Sequence, residues 1–284
     1  MTASKTAIVG FASDGDGDRN MVVGRGGLVV SPSDSVAVIA HYAERAIPYF
    51  ERNKLKGVAR SMPTSRALDA VAEYINVRCF QTPTGWKYFG NLMDAGLVNL
   101  CGEESFGTGS DHIREKDGIW ATLAWLSILA YEKNKTVTQV LENFWNMYGR
   151  FFYRRCDYED VDGGAAERVF DKLRLAVGKK LDFSAYGEDW SVADSQEYSY
   201  TDPVDGSVAS KQGIIFTFKN NSRLIFRLSG TGTVGATIRV YMELFTRNWT
   251  STDECLERGV LMKIALAVSG ISELTGRSEP SVIT

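Results

Sequence analysis

The stretch KGVARSMPTSRALDAVAEYINVRCF, residues Lys56–Phe80, indicates the fold class of this chain. It opens with a β-like run at Lys56–Arg60 and closes with a second one at Val77–Phe80. The apolar residues of the segment between them, Thr64–Ile75, fall on one face of a helix: Leu68, Val71 and Ile75. Two strands joined by an amphipathic helix predict the repeating unit of an α/β domain.

The segments on either side continue this alternation. Upstream, Ser33 or Asp34 can cap a helix. The apolar positions of this helix recur with helical spacing: Val36, Ile39, Tyr42, Ala43 and Ala46. Downstream, we predict a strand at Leu97–Cys101 and a long helix at Asp117–Tyr131. The sequence therefore predicts an α/β domain that extends to about residue 150.

The pattern changes near Tyr148. Helices are predicted at Ala165–Val177 and at about Leu256–Ala267. Between them lie short β-like segments: Ile214–Lys219, Leu224–Leu228 and Thr237–Tyr241. Strands grouped between helices, rather than alternating with them, predict a smaller α+β domain after residue 150.

Composition narrows the class of protein. The 284 residues carry 32 Lys and Arg against 35 Asp and Glu, a net charge of −3, which argues against nucleic acid as a partner recognised by bulk charge. The four cysteines are widely spaced with no CxxC pair, as in reduced cytosolic proteins. Met1–Lys5 lacks the apolar core of a signal peptide, and no apolar run reaches membrane-spanning length. We expect a soluble, cytoplasmic protein with no membrane partner.

The segment DGDGDR, Asp14–Arg19, has a carboxylate at every second position. Carboxylates this close suit an oxygen cage for a hard divalent cation, with Arg19 placed to contact a phosphate, and they repel one another without a cation. A calcium EF-hand is excluded, because its sixth and twelfth positions would be Arg19 and Arg25. A solvent-exposed acidic turn is the alternative. A β-hairpin is predicted next, from Asn20–Val23 and Leu28–Val30.

The segment RLSGTGTVGATIR, Arg227–Arg239, contains the spacing GxGxxG. A dinucleotide-binding loop would need a helix directly after it, but Thr237–Tyr241 favours a strand, and no Gly-Lys pair supports a Walker loop. A strand-loop-strand with hydroxyls, open backbone amides and an arginine on each flank can bind a phosphate dianion. An ordinary glycine-rich hairpin with surface arginines is the alternative.

A third segment, GEESFG at Gly102–Gly107, follows a predicted strand. Carboxylate and hydroxyl groups at Glu103 and Ser105 can hydrogen-bond adjacent hydroxyls of a sugar ring. An acidic turn at the end of a strand is the alternative. The charged run Asp111–Asp117 is interpreted as a solvated helix start.

With these segments in this order, the chain resembles the α-D-phosphohexomutases, in their eukaryotic-type phosphoglucomutase branch. Asp14–Arg19 is similar to the family's metal loop, Gly102–Ser105 to its sugar-recognition motif, and Arg227–Arg239 to its phosphate-binding loop. Thr82–Lys87 and Ser61–Ser65 are also similar to this branch. The resemblance covers nearly the whole chain.

The resemblance implies a domain organisation. The family has four domains, the first three α/β and the last a smaller α+β domain. Residues 1–30 would be the tail of domain two, which carries the metal loop. Residues 31–150 would form the α/β, mixed-sheet, sugar-binding domain three, and residues 151–284 the α+β, phosphate-binding domain four.

The resemblance also implies roles for the matching residues. The ligands of Mg²⁺ would be Asp14, Asp16 and Asp18. The substrate-binding residues would be Thr84, Gly85, Glu103, Ser105, Arg227, Ser229, Gly230, Thr231, Gly232 and Arg239. Arg19 would contact a phosphate, and Lys116 would act as a general acid or base. The implied reaction interconverts glucose 1-phosphate and glucose 6-phosphate through glucose 1,6-bisphosphate.

One departure from the family concerns the phosphoryl carrier. The family's phosphoserine motif, Thr-Ala-Ser-His-Asn-Pro, is absent from these residues, because Lys5 and Thr6 follow Thr2–Ser4. We therefore expect a C-terminal half that lacks the phosphoserine domain and is inactive alone. A non-catalytic, structural or regulatory phosphosugar-binding protein is the alternative. Assembly in trans with a separate N-terminal half is a third possibility.

Overall fold

The computed structural model describes residues 8–230, 235–249 and 259–284. The chain forms two compact units, each of which is described by itself. The first comprises the residues up to Arg150 together with Asp202–Gly206, and the second comprises Phe151–Thr201 and Ser207–Thr284. The division into three domains inferred from the sequence stays a prediction.

The first unit begins with a two-stranded antiparallel sheet of β1 (Val9–Ser13) and β2 (Asn20–Gly24). The loop between these strands is the predicted cation loop, so a strand anchors each of its ends. Sequence reasoning missed β1 and paired β2 with the run that follows it. The predicted hairpin is present only as an isolated bridge between Val23 and Val29. A turn of 3₁₀ helix at Arg25–Gly27 lies between these two residues.

The main sheet of the first unit contains β3 (Gly57–Ser61), β4 (Arg78–Thr82), β5 (Leu100–Gly102) and β6 (Thr108–Ser110). Its strand order is β4-β3-β5-β6. Strand β3 runs parallel to β4 and to β5, whereas β6 is antiparallel to β5. The predicted mixed-sheet α/β fold is thus confirmed. The loops that follow β3, β4 and β5 leave the sheet at one edge, where α/β proteins commonly bind ligands.

The described residues of the first unit also form six α-helices: α1 (Pro32–Ala46), α2 (Pro48–Asn53), α3 (Ala67–Tyr74), α4 (Trp86–Asp94), α5 (Gly118–Tyr131) and α6 (Val137–Tyr148). The predicted caps of α1 are wrong, because Ser31 is the N-cap residue and Ser33 and Asp34 lie inside the first turn. Proline suits the first helical position, since its missing N–H would have no partner there. Asp117 caps α5 by accepting a hydrogen bond from Trp120 N at 2.9 Å.

Asp34 is an ionisable residue inside the core of the first unit. Its side chain is buried, its Oδ2 accepts a hydrogen bond from Trp145 Nε1 at 3.1 Å, and its Oδ1 has no hydrogen-bond partner among the described residues. Burial raises the pKa of Asp34 to about 6, although the Trp145 hydrogen bond and the charge of Arg150 oppose this rise. The ionised carboxylate therefore destabilises the folded state at neutral pH.

We expect the variant Asp34→Asn to be more stable than the wild type at pH 7, by up to about 3 kcal/mol. Because the folded-state pKa is raised, wild-type stability is lost as the pH rises from about 4 to about 6, whereas the amide does not ionise. Urea unfolding between pH 4 and pH 7 measures the difference. The exposed residue Asp194 supplies the control variant Asp194→Asn. Equal pH dependence of wild type and Asp34→Asn would contradict the expectation.

The second unit is built on an antiparallel sheet with the strand order β14-β7-β13-β12-β11-β8. Its strands are β7 (Arg150–Val161), β8 (Val192–Glu197), β11 (Ile214–Phe218), β12 (Arg223–Ser229), β13 (Ala236–Thr246) and β14 (Val282–Ile283), with a separate pair β9 (Tyr200–Thr201) and β10 (Val208–Ala209). Its helices are α7 (Gly163–Ala176), α8 (Val260–Ser269) and α9 (Ile271–Thr275). The predicted α+β character of this part is confirmed.

Packing in the second unit uses one face of this sheet. Alternate residues of β13, such as Ile238 and Val240, join the core together with Val169 of α7 and Ile264 of α8. The opposite face carries the residues between them, among which is Arg239. The arginines of the predicted phosphate loop are therefore kept out of the apolar core.

Two predictions from composition concern the cysteines and the membrane. Cys79, Cys101 and Cys156 are free thiols, and Cys255 lies outside the described residues. In the part of the chain that the structure describes, none of the helices combines the length and the apolar character that a membrane span requires.

Candidate functional site

The cation loop brings its three carboxylates together. One oxygen from each of Asp14, Asp16 and Asp18 lies within 4.8 Å of the other two. Gly17 has a positive φ of 76°, which lets the chain turn back so that Gly17 N donates a hydrogen bond to Asp14 O at 3.3 Å. Asp18 Oδ1 is buried and has no hydrogen-bond partner among the described residues. Carboxylate oxygens are hard ligands, and the buried Asp18 Oδ1 accepts no hydrogen bond from the described residues. The three carboxylates therefore suit a divalent cation such as Mg²⁺.

Two basic side chains lie at this loop. The Arg19 guanidinium is 3.6 Å from Asp14 Oδ2, and its side chain is half exposed, so it can still contact a ligand. Lys116 Nζ is 2.9 Å from Asp18 Oδ2, and the Lys116 side chain is largely buried. Burial lowers the pKa of Lys116, but the hydrogen bond and charge of Asp18, followed by the charges of Glu115 and Glu103, outweigh it and leave this pKa raised. The two residues predicted as catalytic therefore meet at the predicted cation loop.

The predicted sugar residues converge on the carboxylate of Glu103. Gly85 N donates a hydrogen bond to Glu103 Oε1 at 3.2 Å, and Ser105 Oγ donates to Glu103 Oε2 at 3.4 Å. Thr84 directly precedes Gly85 in the loop between β4 and α4. Burial first, and then the charge of Glu104, raise the pKa of Glu103. A buried carboxylate between a backbone amide and a hydroxyl can accept hydrogen bonds from sugar hydroxyls.

Backbone contacts connect the sugar loop to the cation loop. Arg19 and Gly107 form an antiparallel bridge, and Asn20 N donates a hydrogen bond to Phe106 O at 3.1 Å. Phe106 adopts a positive φ of 70°, which is rare for a bulky residue. Lys116 packs over Gly107, where an added Cβ would lie 2.7 Å from Lys116 Cδ. Within the first unit, these contacts bring the predicted cation ligands and sugar ligands into one site.

The predicted phosphate loop lies in the second unit. Arg227 and Arg239 face each other on the antiparallel strands β12 and β13, and Ser229 faces Thr237 at the end of this pairing. Gly230 follows with a positive φ of 67°. Thr231 and Gly232, the remaining predicted contacts, lie outside the described residues. The strand β13 after the loop confirms the strand-loop-strand interpretation over a dinucleotide-binding one.

The two arginines are oriented by residues that sequence reasoning missed. Arg227 donates hydrogen bonds to Tyr241 Oη at 3.2 Å and to Gln212 O at 3.3 Å, and Arg239 Nε is 3.5 Å from Asp157 Oδ2. Like charges directly opposite each other on a sheet repel. A phosphate dianion between the guanidinium groups would relieve this repulsion. Neither Tyr241 nor Asp157 stands out in the sequence, because its role depends on pairing across the sheet.

The amino-acid sequence matches two described family domains. Residues 31–148 match the α/β/α domain III of phosphoglucomutase/phosphomannomutase, and residues 150–281 match the C-terminal domain of phosphoglucomutase-1. The chain belongs to the phosphohexomutase family. The domain III match directly precedes the C-terminal match along the chain.

Curated relatives support the same family. The chain is 53% identical over 285 residues to the chloroplastic phosphoglucomutase of Arabidopsis thaliana, an alignment that covers 97% of this chain and 45% of the relative. It is 54% identical over 291 residues to the cytoplasmic phosphoglucomutase of Bromus inermis, with 97% and 50% covered. The chain thus spans about half the length of the curated relatives it matches.

A solved phosphohexomutase has a closely similar fold. The open form of the exocytosis-sensitive phosphoprotein pp63, or parafusin, a phosphoglucomutase from Paramecium, matches with a TM-score of 0.87 and 50% sequence identity. The match covers 98% of this chain and 48% of parafusin. The fold seen here is therefore that of about half of a phosphoglucomutase.

Proposed function

We propose that this chain provides the cation-, sugar- and phosphate-binding part of a phosphoglucomutase, which interconverts glucose 1-phosphate and glucose 6-phosphate. The observation that carries the proposal is the connection within the first unit between the cation loop and the sugar loop. The Arg19–Gly107 bridge joins the two loops, and Lys116, paired with Asp18, packs over Gly107. Phosphoryl transfer to a sugar hydroxyl needs a cation, groups that bind the sugar, and a residue that donates or accepts a proton, all close together.

In this proposal, the residues of the first unit have distinct roles in binding and catalysis. Asp14, Asp16 and Asp18 would hold Mg²⁺, which neutralises charge on a transferring phosphoryl group. Glu103 and Ser105, with Thr84 and Gly85, would bind hydroxyls of the hexose. Arg19 would contact the reacting phosphate, and Lys116 would donate a proton to the sugar oxygen or accept one from it.

The phosphate loop of the second unit would bind the phosphate that does not react. Arg227 and Arg239 offer planar guanidinium groups that can form paired hydrogen bonds with a phosphate. The other contacts would come from hydroxyls and backbone amides of the loop: Ser229, Gly230, Thr231 and Gly232. Glucose 1,6-bisphosphate carries two phosphates and is the proposed intermediate of this reaction.

We expect the 284-residue chain to show no mutase turnover by itself. Its residues contain no Ser-His-Asn-Pro stretch, and a relay through a covalent phosphoserine cannot be replaced by groups that only position the substrate. The test is a coupled assay with glucose 1-phosphate, Mg²⁺ and catalytic glucose 1,6-bisphosphate. Robust turnover by the purified chain would contradict this part of the proposal.

A second arm of the assay separates the mutase proposal from a non-catalytic binding role. The added component is the separately expressed N-terminal half of the Bromus inermis relative, where we expect the phosphoserine motif. Restored turnover on mixing would support a mutase half that can assemble in trans, whereas binding of glucose 1,6-bisphosphate without restoration would favour a structural or regulatory role. We propose the cytoplasm as the site of action, although relatives are named for both cytoplasm and chloroplast.

A further inference from the structure

Glu104 and its neighbour Glu103 point to different partners. Glu103 contacts Gly85, whereas the Glu104 carboxylate is directed at the end of β3 and the loop that follows this strand. Ser61 Oγ donates a hydrogen bond to Glu104 Oε2 at 2.8 Å, and Thr64 Oγ1 lies 3.4 Å from the same oxygen. Glu104 N donates back to Thr64 Oγ1 at 2.9 Å. The backbone and the side chain of Glu104 are therefore both held by the end of β3 and the loop that follows it, about forty residues away in the sequence.

This cluster is closed to solvent. Ser61 and Thr64 are 0% exposed and Glu104 is 7% exposed. The two hydroxyls are 2.6 Å apart, so Thr64 can donate to Ser61 while it accepts from Glu104 N. A buried carboxylate and amide that lost these partners would be left unpaired, which is costly in a low dielectric. The hydroxyls therefore fix the position of Glu104 rather than merely contacting it.

The segment that supplies the hydroxyls, Ser61–Ser65, is itself held by several hydrogen bonds. The Arg60 side chain is 2% exposed and forms an ion pair with Asp69. Its Nη1 donates to three carbonyl oxygens of this segment at 3.3–3.4 Å: Ser61, Met62 and Thr64. A second anchor comes from Met62 N, which donates to Thr82 O at 2.7 Å. The hydroxyls that bind Glu104 are thus fixed to the main sheet.

We propose that Glu104, held by Ser61 and Thr64, is a positioning residue that sets the place of the sugar-binding groups of Glu103 and Ser105. The proposal rests on the proposed function, since those two residues are the predicted sugar contacts on either side of Glu104. Fixing the middle residue of the three fixes the directions in which its neighbours point. Selectivity for a hexose phosphate would depend on this arrangement, because hydrogen bonds to sugar hydroxyls require exact placement.

The test compares Thr64→Val with Thr64→Ser. Valine keeps the shape of threonine but removes both the donor and the acceptor, whereas serine keeps the hydroxyl. We expect Thr64→Val to weaken the binding of glucose 1,6-bisphosphate about tenfold or more, and Thr64→Ser to stay close to the wild type. The affinity for Mn²⁺ should be unchanged in both, because Ser61 and Glu104, to which Thr64 is hydrogen-bonded, are not among the predicted cation ligands. If Thr64→Val has a lower melting temperature than the wild type but the same affinity for the bisphosphate, the proposal is overturned.

A measurement on the ligand-free protein tests the positioning role even if the bisphosphate does not bind. Hydrogen exchange of the Gly85 amide reports its bond to Glu103. We expect this amide to exchange faster in Thr64→Val and in the milder variant Ser61→Ala, but not in Thr64→Ser. Unchanged protection in both disruptive variants would refute the positioning role, whatever the ligand result. Failure of the wild type to bind the bisphosphate, with the exchange pattern as expected, would instead count against the proposed function.

Discussion

Replacing Gly118 with alanine is expected to displace the cation loop and to weaken Mn²⁺ binding about 10- to 100-fold. Gly118 N donates a hydrogen bond to Gly17 O at 3.1 Å, which holds the loop against the first turn of α5. A Cβ at Gly118 would overlap Arg19 O and lie 2.7 Å from Gly17 O. Both atoms belong to the backbone, so the loop that carries the three aspartates would have to move.

The same substitution is expected to destabilise the first unit by about 1–3 kcal/mol. Helix propensity alone would favour alanine over glycine by up to about 1 kcal/mol. Gly15→Ala is the matched control, because an added Cβ there meets nothing within 4 Å. Titration with Mn²⁺ followed by electron paramagnetic resonance, with urea unfolding of the same samples, measures both effects. Wild-type Mn²⁺ affinity in Gly118→Ala would show that this contact does not shape the loop.

Replacing Glu243 with alanine is expected to destabilise the second unit by about 3–5 kcal/mol. Arg223 and Glu243 face each other on β12 and β13, and their side chains are 4% and 2% exposed. Arg223 Nη2 is 2.6 Å from Glu243 Oε2, and Arg223 Nε donates to Glu243 Oε1 at 3.1 Å. Removing the carboxylate would take away the negative charge that faces the buried Arg223 guanidinium.

Two controls accompany this prediction. Asp171→Ala breaks the exposed pair with Arg174 and is expected to change stability by less than about 1 kcal/mol. Replacing both Arg223 and Glu243 with methionine removes both charges and should cost much less than Glu243→Ala alone. Hydrogen exchange of amides in β12 and β13 reports the second unit alone. A cost of Glu243→Ala no larger than that of Asp171→Ala would contradict the expectation.

The sequence predicted the elements whose patterns are local. Apolar spacing located α1, α3, α5 and α7, and β-like runs located β3, β11, β12 and β13. The predicted helix Thr64–Ile75 is wrong at its start, since α3 begins at Ala67. The physical reason is tertiary: Thr64 is bonded to Glu104 in the loop that Arg60 organises. Local periodicity contains no information about such a partner.

The geometry of the candidate site was harder to predict than its residues. Alternating carboxylates in Asp14–Arg19 suggested a cation loop because the chemistry is local. In contrast, the contact between Lys116 and Asp18 joins segments nearly a hundred residues apart and depends on where α5 begins. The left-handed backbone of Phe106 and the pairing of Arg239 with Asp157 likewise arise only once strands and loops have assembled. The sequence indicated which residues form the candidate site, but not how these residues are placed relative to one another.

We propose above all that this chain binds a phosphorylated hexose, with the Glu103 carboxylate of the first unit as a contact to the sugar. Isothermal titration of glucose 1,6-bisphosphate in the presence of Mg²⁺, into the wild type and into Glu103→Ala, tests it most directly. We predict saturable binding by the wild type at one site per chain. In Glu103→Ala we predict an affinity about tenfold or more weaker, with the melting temperature of the wild type. Absence of saturable binding by the wild type, or equal affinities in the two proteins, would contradict the account.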